Sequence, residues 1–481
     1  MEQKLAPGKR GSERVISASA RERAEAAKAY IQNKYSRLKK EQSENKVVWD
    51  ELNSKMGKLN LSEPEKQVIK QEILHKNAQQ MRMRRKQMTV FDFESIAIIG
   101  KGAFGEVRVV RNKDTGEILA MKKMSKREMI CKNQVMHVRS ERNVLSLADN
   151  VWIVELKYSF QDEKNLYLVM EFLPGGDLMN ILMKRDVLPE VEARFYIAET
   201  ILAVESVHKM NYIHRDLKPD NVLIDRFGHV KLSDFGLCKH ANVIDESQIV
   251  KKISTDEISR ASSPKGEYKR SRVLAYSTVG TPDYIAPEVF NKQGYNETVD
   301  WWSIGVIFYE MVIGYPPFFA DEPSITCQKI LHWKKTLNIP REAGISREAV
   351  DLIRRLVCDP NERLGSKYGV QEIKMHPFFR GIDWERIRET KAPWVPKISS
   401  EDDTSYFDKF EEKEPFYPVE VRRKRSRRDS DFIGYTFKKD EENHRLNLVK
   451  ALHELDNKKV PVARKSSAPV KLLLSSDSIF V

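Results

Sequence analysis

The sequence predicts an α+β protein of two lobes, a small antiparallel β lobe followed by a larger, mainly helical one, with a helical region before them and a tail after. From Phe93 the chain runs in short β-branched stretches, E-S-I-A-I-I, E-V-R-V-V-R and E-I-L-A-M-K, parted by a glycine-rich turn and by Lys113-Asp114-Thr115-Gly116. Beyond about Pro174 the apolar spacing lengthens to helical periods. A chain of 481 residues that is 41% apolar can bury a sizeable core, so one large unit with extensions is the expected plan.

The region 1–92 reads as helical and basic. Residues 16–45 are alanine-rich, with Ile16, Tyr30, Ile31, Tyr35 and Leu38 among charges, and Val47, Val48, Trp49 and Leu52 follow. Ser62 with Glu65 has the spacing of a capping box, and Val68, Ile69, Ile73 and Leu74 repeat helically up to Arg82, Arg84, Arg85 and Lys86. The two lobes are expected over 93–379, with an insert at 240–275, and the tail over 380–481. Within the tail, Glu401 to Asp403, Arg422 to Arg428 and the stretch after Lys458 lack core-forming patterns and are expected to be flexible until bound.

Composition removes several classes of function. The net charge of +13 is local, since residues 1–90 hold 21 lysines and arginines against 11 acidic residues. These mixed charges show no groove-reading or base-stacking module, so no nucleic-acid partner is expected. Cys131, Cys238, Cys327 and Cys358 are far apart and form no C-x-x-C pair, which argues against a disulfide framework or a zinc site and for a reducing compartment. No apolar run approaches the about 20 residues of a membrane span, and position 2 is Glu where myristoylation needs Gly. A cytoplasmic location is expected, with nuclear residence also open.

Motifs for handling phosphate then recur in a fixed order: G-K-G-A-F-G-E-V from Gly100, A-M-K ending at Lys122, H-R-D-L-K-P-D-N from His214, D-F-G from Asp234 and A-P-E ending at Glu288. Any one could be chance, but five in order resemble a protein kinase, with ATP and Mg²⁺ as the implied cofactors. Gly100, Gly102 and Gly105 would let backbone amides lie over the phosphates, and Ile99, Val107 and Ala120 would cover the adenine. Lys122 would hold the α- and β-phosphates, fixed by Glu141 of the helical segment H-V-R-S-E-R-N.

Asp234 and Asn221 supply the hard oxygen ligands that Mg²⁺ prefers. Asp216 would orient and deprotonate the substrate hydroxyl, a contribution of roughly 10²–10⁴-fold for such groups. Glu171 and Leu173, after the strand L-Y-L-V, would bond the adenine through their backbones, while Met170 is either a back-pocket guard or plain core. Asp177 either binds the ribose or joins Asp220 in receiving an arginine upstream of the acceptor.

The D-L-K-P-x-N form resembles Ser/Thr kinases, in which Lys218 and Thr281 contact the transferred phosphate. H-P-F-F at His376 to Phe379 and F-I-G-Y-T-F at 432–437 resemble the AGC group. The long insert, S-T-V-G-T-P-D-Y-I-A-P-E from Ser277 and D-D-T-S-Y-F-D-K-F from Asp402 resemble the NDR/LATS family, with NDR favoured. This likeness spans roughly residues 20–440.

The resemblance implies regulation by phosphate on Ser277 and Thr436, the latter placed by a Ste20-like upstream kinase. It implies a Mob-type adaptor docking on Tyr35, Arg37, Lys39, Lys40, Arg82 and Arg85. Glu288 with Arg363, and Asp300, would be structural. The insert carries Lys251, Lys252, Lys269, Arg270 and Arg272 but matches the family's inhibitory stretch poorly. The alternative reading is a kinase-fold scaffold that binds the adaptor without catalysis.

Overall fold

The structure is a computed structural model. It describes residues 86–102, 105–240, 282–290, 295–412, 415–417, 431, 432 and 434–439, with scattered positions between 35 and 75. The chain divides into two compact units, 88–439 and the flanking 1–87 with 440–481. In the flanking unit every described position between 35 and 75 is helical, and Tyr35 and Lys39 are exposed. Ser62, Glu65, Arg37, Lys40, Arg82, Arg85, residues 241–275 of the insert, Ser277 and Thr281 lie outside the described residues.

The small lobe is one antiparallel sheet in the order β1-β2-β3-β5-β4-β10. Its strands are β1 (Phe93–Gly102), β2 (Gly105–Asn112), β3 (Ile118–Ser125), β4 (Leu156–Gln161), β5 (Asn165–Glu171) and β10 (Phe437–Lys438). β10 comes from the tail and pairs Phe437 with Ser159 at the sheet edge. Ser125 ends β3 and caps α1 (Lys126–Cys131) by accepting from the Glu128 amide at 3.4 Å. α2 (Val135–Leu147) buries Val138, Val144 and Leu145.

In the larger lobe α3 (Leu178–Arg185) and α4 (Glu190–Lys209) are followed by β6 (Tyr212–Ile213), β7 (Val222–Ile224), β8 (Val230–Leu232) and β9 (Lys239–His240). The pairs β6–β9 and β7–β8 hold the motif loops between them. After α5 (Pro287–Phe290) comes α6 (Thr298–Ile313), apolar almost all round and buried along nearly its whole length, as a central helix must be. It stops at Gly314, whose φ of 98° gives the left-handed turn that ends a helix. α7 (Pro323–Leu331), α8 (Trp333–Thr336), α9 (Arg347–Leu356) and α10 (Val370–Lys374) complete the lobe.

The acidic stretch 401–403, expected to be flexible, is a built turn. The Asp403 carboxylate accepts from the amides of Ser399 at 2.8 Å and Ser405 at 2.9 Å, and Asp402 pairs with Arg111 at 3.3 Å. A short acidic run offers acceptors for its own backbone, and composition alone does not reveal that.

Candidate active site

The roof of the cleft is the β1–β2 hairpin. A Cβ on Gly105 would stand 1.8 Å from the Lys123 carbonyl oxygen, so β2 can start so close to β3 only with glycine there. Gly102 has no atom within 4 Å of such a Cβ, and Gly100 meets only Val107 at 3.7 Å. Those two glycines keep space open on the cleft side. Ile99 and Val107 are half-buried and Ala120 is buried.

Register puts the back of the cleft together. Val107 lies opposite Lys122, and Ala120 opposite Met170. Residues two apart on a strand share a face, so Ala120 and Lys122 line the same side. Lys122 Nζ donates to Glu141 Oε1 at 2.7 Å and stands 3.6 Å from Asp234 Oδ1. Burial disfavours the ammonium, but the Asp234 and Glu141 carboxylates outweigh it and hold Lys122 protonated.

At the hinge the Glu171 carboxylate is already committed, to Lys231 at 2.6 Å and to the Glu155 amide at 2.8 Å. The Glu171 amide donates to the Glu155 carbonyl at 3.0 Å, which narrows its expected adenine contact to its carbonyl. Asp177 caps α3, accepting from the Asn180 amide at 2.8 Å, and burial with Asp220 and Asp408 nearby raises it to about 7.

The loop between β6 and β7 is held from beneath by Asp300 of α6. Its fully buried carboxylate accepts from the His214 amide at 2.9 Å, the Arg215 amide at 2.9 Å and His208 Nε2 at 2.7 Å. Arg215 has φ of 67°, a conformation that a non-glycine residue keeps only when its surroundings fix it. Asn221 donates to the Asp216 carbonyl at 2.8 Å and to Asp216 Oδ2 at 3.4 Å, and Lys218 Nζ is 3.4 Å from the same oxygen.

The two aspartates of the cleft are driven apart electrostatically. Burial raises Asp216 despite Lys218, while the Lys122 charge lowers Asp234 against its own burial. A carboxylate pushed up can accept a proton, and one pushed down stays anionic, the division that acid–base and metal-binding roles require. Asp234 also sits at φ of 56°, with its Oδ1 accepting from the Gly236 amide at 3.3 Å.

The donor set suits Mg²⁺ carried in with phosphates. Among the described residues no group of three or more His, Cys, Asp or Glu could cage a metal. The anionic Asp234 and the Asn221 side-chain oxygen, whose nitrogen is turned to Asp216, would fit as the one or two protein oxygens such an ion needs.

Residues 93–379 match the protein kinase domain model, and residues 398–437 match the protein kinase C-terminal domain model. The serine/threonine-protein kinase tricornered of Drosophila melanogaster is 46% identical over 438 residues, 87% of this chain and 94% of that protein. The probable serine/threonine-protein kinase ndrB of Dictyostelium discoideum is 48% identical over 444 residues, 87% of this chain and 82% of the relative. The serine/threonine-protein kinase CBK1 of Yarrowia lipolytica is 48% identical over 394 residues, 77% of this chain and 67% of the relative.

The chain is a serine/threonine-protein kinase of the NDR family.

In this NDR-family kinase the tail motif is seated on α2 and β4. Phe432 and Tyr435 are buried, and the Tyr435 carbonyl accepts from Ser159 Oγ at 2.6 Å and Arg142 Nε at 3.1 Å. Arg142 Nη2 reaches the Thr436 carbonyl at 3.2 Å, and Gln161 Nε2 the Phe432 carbonyl at 2.9 Å. The Thr436 side chain itself is exposed. Its flanking aromatic side chains and main-chain carbonyls make the contact instead.

Arg215, beside Asp216, donates to the Leu237 carbonyl at 2.6 Å and to Tyr295 Oη at 2.8 Å. Arg363 is fully buried and pairs with Glu288 at 2.5 and 3.1 Å. Sequence reasoning missed Arg142, Ser159 and Gln161, whose partners lie some 270 to 290 residues away. No local pattern marks such contacts. No helix among the described residues is long and apolar enough to cross a membrane.

Proposed function

We propose that the kinase phosphorylates serine or threonine in proteins carrying arginine upstream of the acceptor, with Asp216 as the base. The observation that supports this most is the convergence of Lys218 and Asn221 on Asp216, beside a Lys122 held between Glu141 and Asp234. Asp216 Oδ2 would receive the acceptor hydroxyl's proton, and Lys218 would hold charge on the moving phosphoryl group. Lys122 would fix the α- and β-phosphates, under a roof of Ile99, Gly100, Gly102, Gly105 and Val107.

Asp234 and Asn221 would hold Mg²⁺, which when bound neutralises charge on the phosphates. Ala120, Glu171 and Leu173 would frame the adenine, and Asp177 would either bind the ribose or join Asp220 in receiving the substrate arginine.

Regulation is proposed at three places. Phosphate on Thr436, placed by a Ste20-like kinase, would add about −1.5 to −2 charge to a tail that already rests on the helix carrying Glu141. Phosphate on Ser277 would act beside the catalytic loop. A Mob-type adaptor would dock on the basic region around Tyr35 and Lys39, its acidic surface drawn by charge. The protein would act in the cytoplasm, with nuclear access also open.

The test is phosphate transfer from ATP·Mg²⁺ to an arginine-rich serine peptide, with and without a Mob-type adaptor and Thr436 phosphorylation. Transfer that needs Asp216, by comparison with Asp216→Ala, and that rises with the adaptor is expected. Transfer indifferent to Asp216→Ala would overturn the assignment of the base, and transfer indifferent to the adaptor would overturn the regulatory reading.

A further inference from the structure

Arg108 of β2 is an arginine that is only 1% exposed, and the roles proposed above do not use it. Its neighbours in the strand fix the side of the sheet it occupies. Val107 lies opposite Lys122, which faces the cleft, so Glu106 and Arg108 face outward on the roof's other side. There Arg108 Nε donates to Glu106 Oε1 at 2.8 Å and Nη1 to Ser95 Oγ at 3.1 Å.

The remaining partners come from the tail. Arg108 Nη1 donates to Glu412 Oε1 at 2.6 Å, and the guanidinium lies 5.4 Å from the Phe416 ring centroid. Phe416 is buried against Phe93, Val110, Leu119 and Met121, the outer-face cluster of the small lobe. Lys101 of β1 donates to the Glu411 carbonyl, and Tyr417 Oη to the Phe93 carbonyl at 2.9 Å. The hairpin that covers the cleft is thus gripped at both of its strands.

Burial opposes the Arg108 charge, and the two carboxylates outweigh that, so a fixed cation sits under the tail. A buried guanidinium keeps its place only while its acceptors keep theirs, and Glu412 is the acceptor that arrives from outside the sheet.

We propose that Arg108 is a positioning residue for the nucleotide, clipping the tail at Glu412 and Phe416 onto the outer face of the β1–β2 roof so that tail seating sets the affinity for ATP. The tail therefore acts on catalysis twice, through α2 and through the roof. The inference rests on the cleft being the ATP site.

The test uses the full chain and compares wild type, Glu412→Gln, Arg108→Met and the double variant for KM of ATP, KM of peptide, kcat and thermal midpoint. The Glu412 side chain is 57% exposed, so Glu412→Gln leaves the lobe folded even if Arg108→Met does not. Glu412→Gln is expected to raise KM for ATP about three- to tenfold, the scale of one charge-assisted contact, with kcat and peptide KM held within about twofold. In the double variant KM for ATP should match Arg108→Met alone. Unchanged KM for ATP in Glu412→Gln, or equal rises in both KM values, would overturn the inference. Loss of ATP dependence in the wild type itself would instead sink the reading of the cleft.

Discussion

Arg142 stands next to Glu141 on α2, and while Glu141 holds Lys122 at 2.7 Å, Arg142 holds the Tyr435 carbonyl of the tail at 3.1 Å. One helix thus carries the Lys122–Glu141 ion pair on one residue and the tail on the next. Arg142 is 9% exposed and spans two carbonyls with two different nitrogens. Lysine cannot reproduce that fork.

Arg142→Met is therefore expected to loosen the tail. Two hydrogen bonds from a charged group are lost, so docking should weaken by roughly 1.5–3 kcal/mol, about ten- to a hundredfold. Hydrogen exchange at the amides of 434–439 measures this directly. Exchange unchanged from wild type would show that Phe432 and Tyr435 hold the tail without Arg142.

Gly105→Ala and Gly102→Ala should separate stability from ligand affinity. The first places a methyl 1.8 Å from a β3 carbonyl, and forcing β2 from β3 should cost roughly 1–3 kcal/mol. The second meets no protein atom within 4 Å, so its cost should appear only when a nucleotide approaches. Urea midpoints and KM for ATP, measured on both, are expected to show a lower midpoint for Gly105→Ala and a raised KM with wild-type midpoint for Gly102→Ala.

The division between what sequence reveals and what it hides follows the range of the interactions. The strands β1 to β3 show in their own β-branched runs, and the cleft residues Lys122, Asp216, Asn221 and Asp234 show in motifs a few residues long. The structure gathers these into one cleft because α6 and the sheet place the loops that carry them. What stays hidden is pairing across hundreds of residues. Arg108 looks like a surface residue of an alternating strand, yet it is buried because Glu412 and Phe416 return to cover it. Thr436 reads as the centre of its motif, yet its side chain is exposed while the carbonyls beside it make the contacts. The Asp403 turn was equally opaque, since an acidic run looks the same whether or not its own backbone amides close on it.

Asp300 sets a pH dependence of stability. Burial alone would raise its carboxyl, but the His208 hydrogen bond and the Arg215 amide outweigh burial and hold it below the ordinary value. A depressed carboxyl stabilises the fold above its unfolded value of about 3.9, and that contribution is lost as pH falls through the folded value. Asp300→Asn should cost about 3 kcal/mol or more at neutral pH, where one partner of a buried polar cluster is removed. Urea midpoints between pH 5 and 2 should fall steeply in wild type and less steeply in the variant. Parallel slopes would assign the acid sensitivity elsewhere.

Asp177 offers a way to decide between its two roles. Raised to about 7 by burial and by Asp220 and Asp408, it loses its charge as pH falls from 8 to 6. If it receives the substrate arginine, KM for an arginine peptide should rise over that range by about fivefold, the worth of one partly exposed charge pair. A peptide with alanine in that place should show no such rise, and Asp177→Asn should flatten the profile at a uniformly high KM. If it binds the ribose instead, the same titration should appear in KM for ATP and leave the two peptides alike. Either pattern assigns the residue, because an uncharged ribose and a charged guanidinium respond differently to the loss of one negative charge.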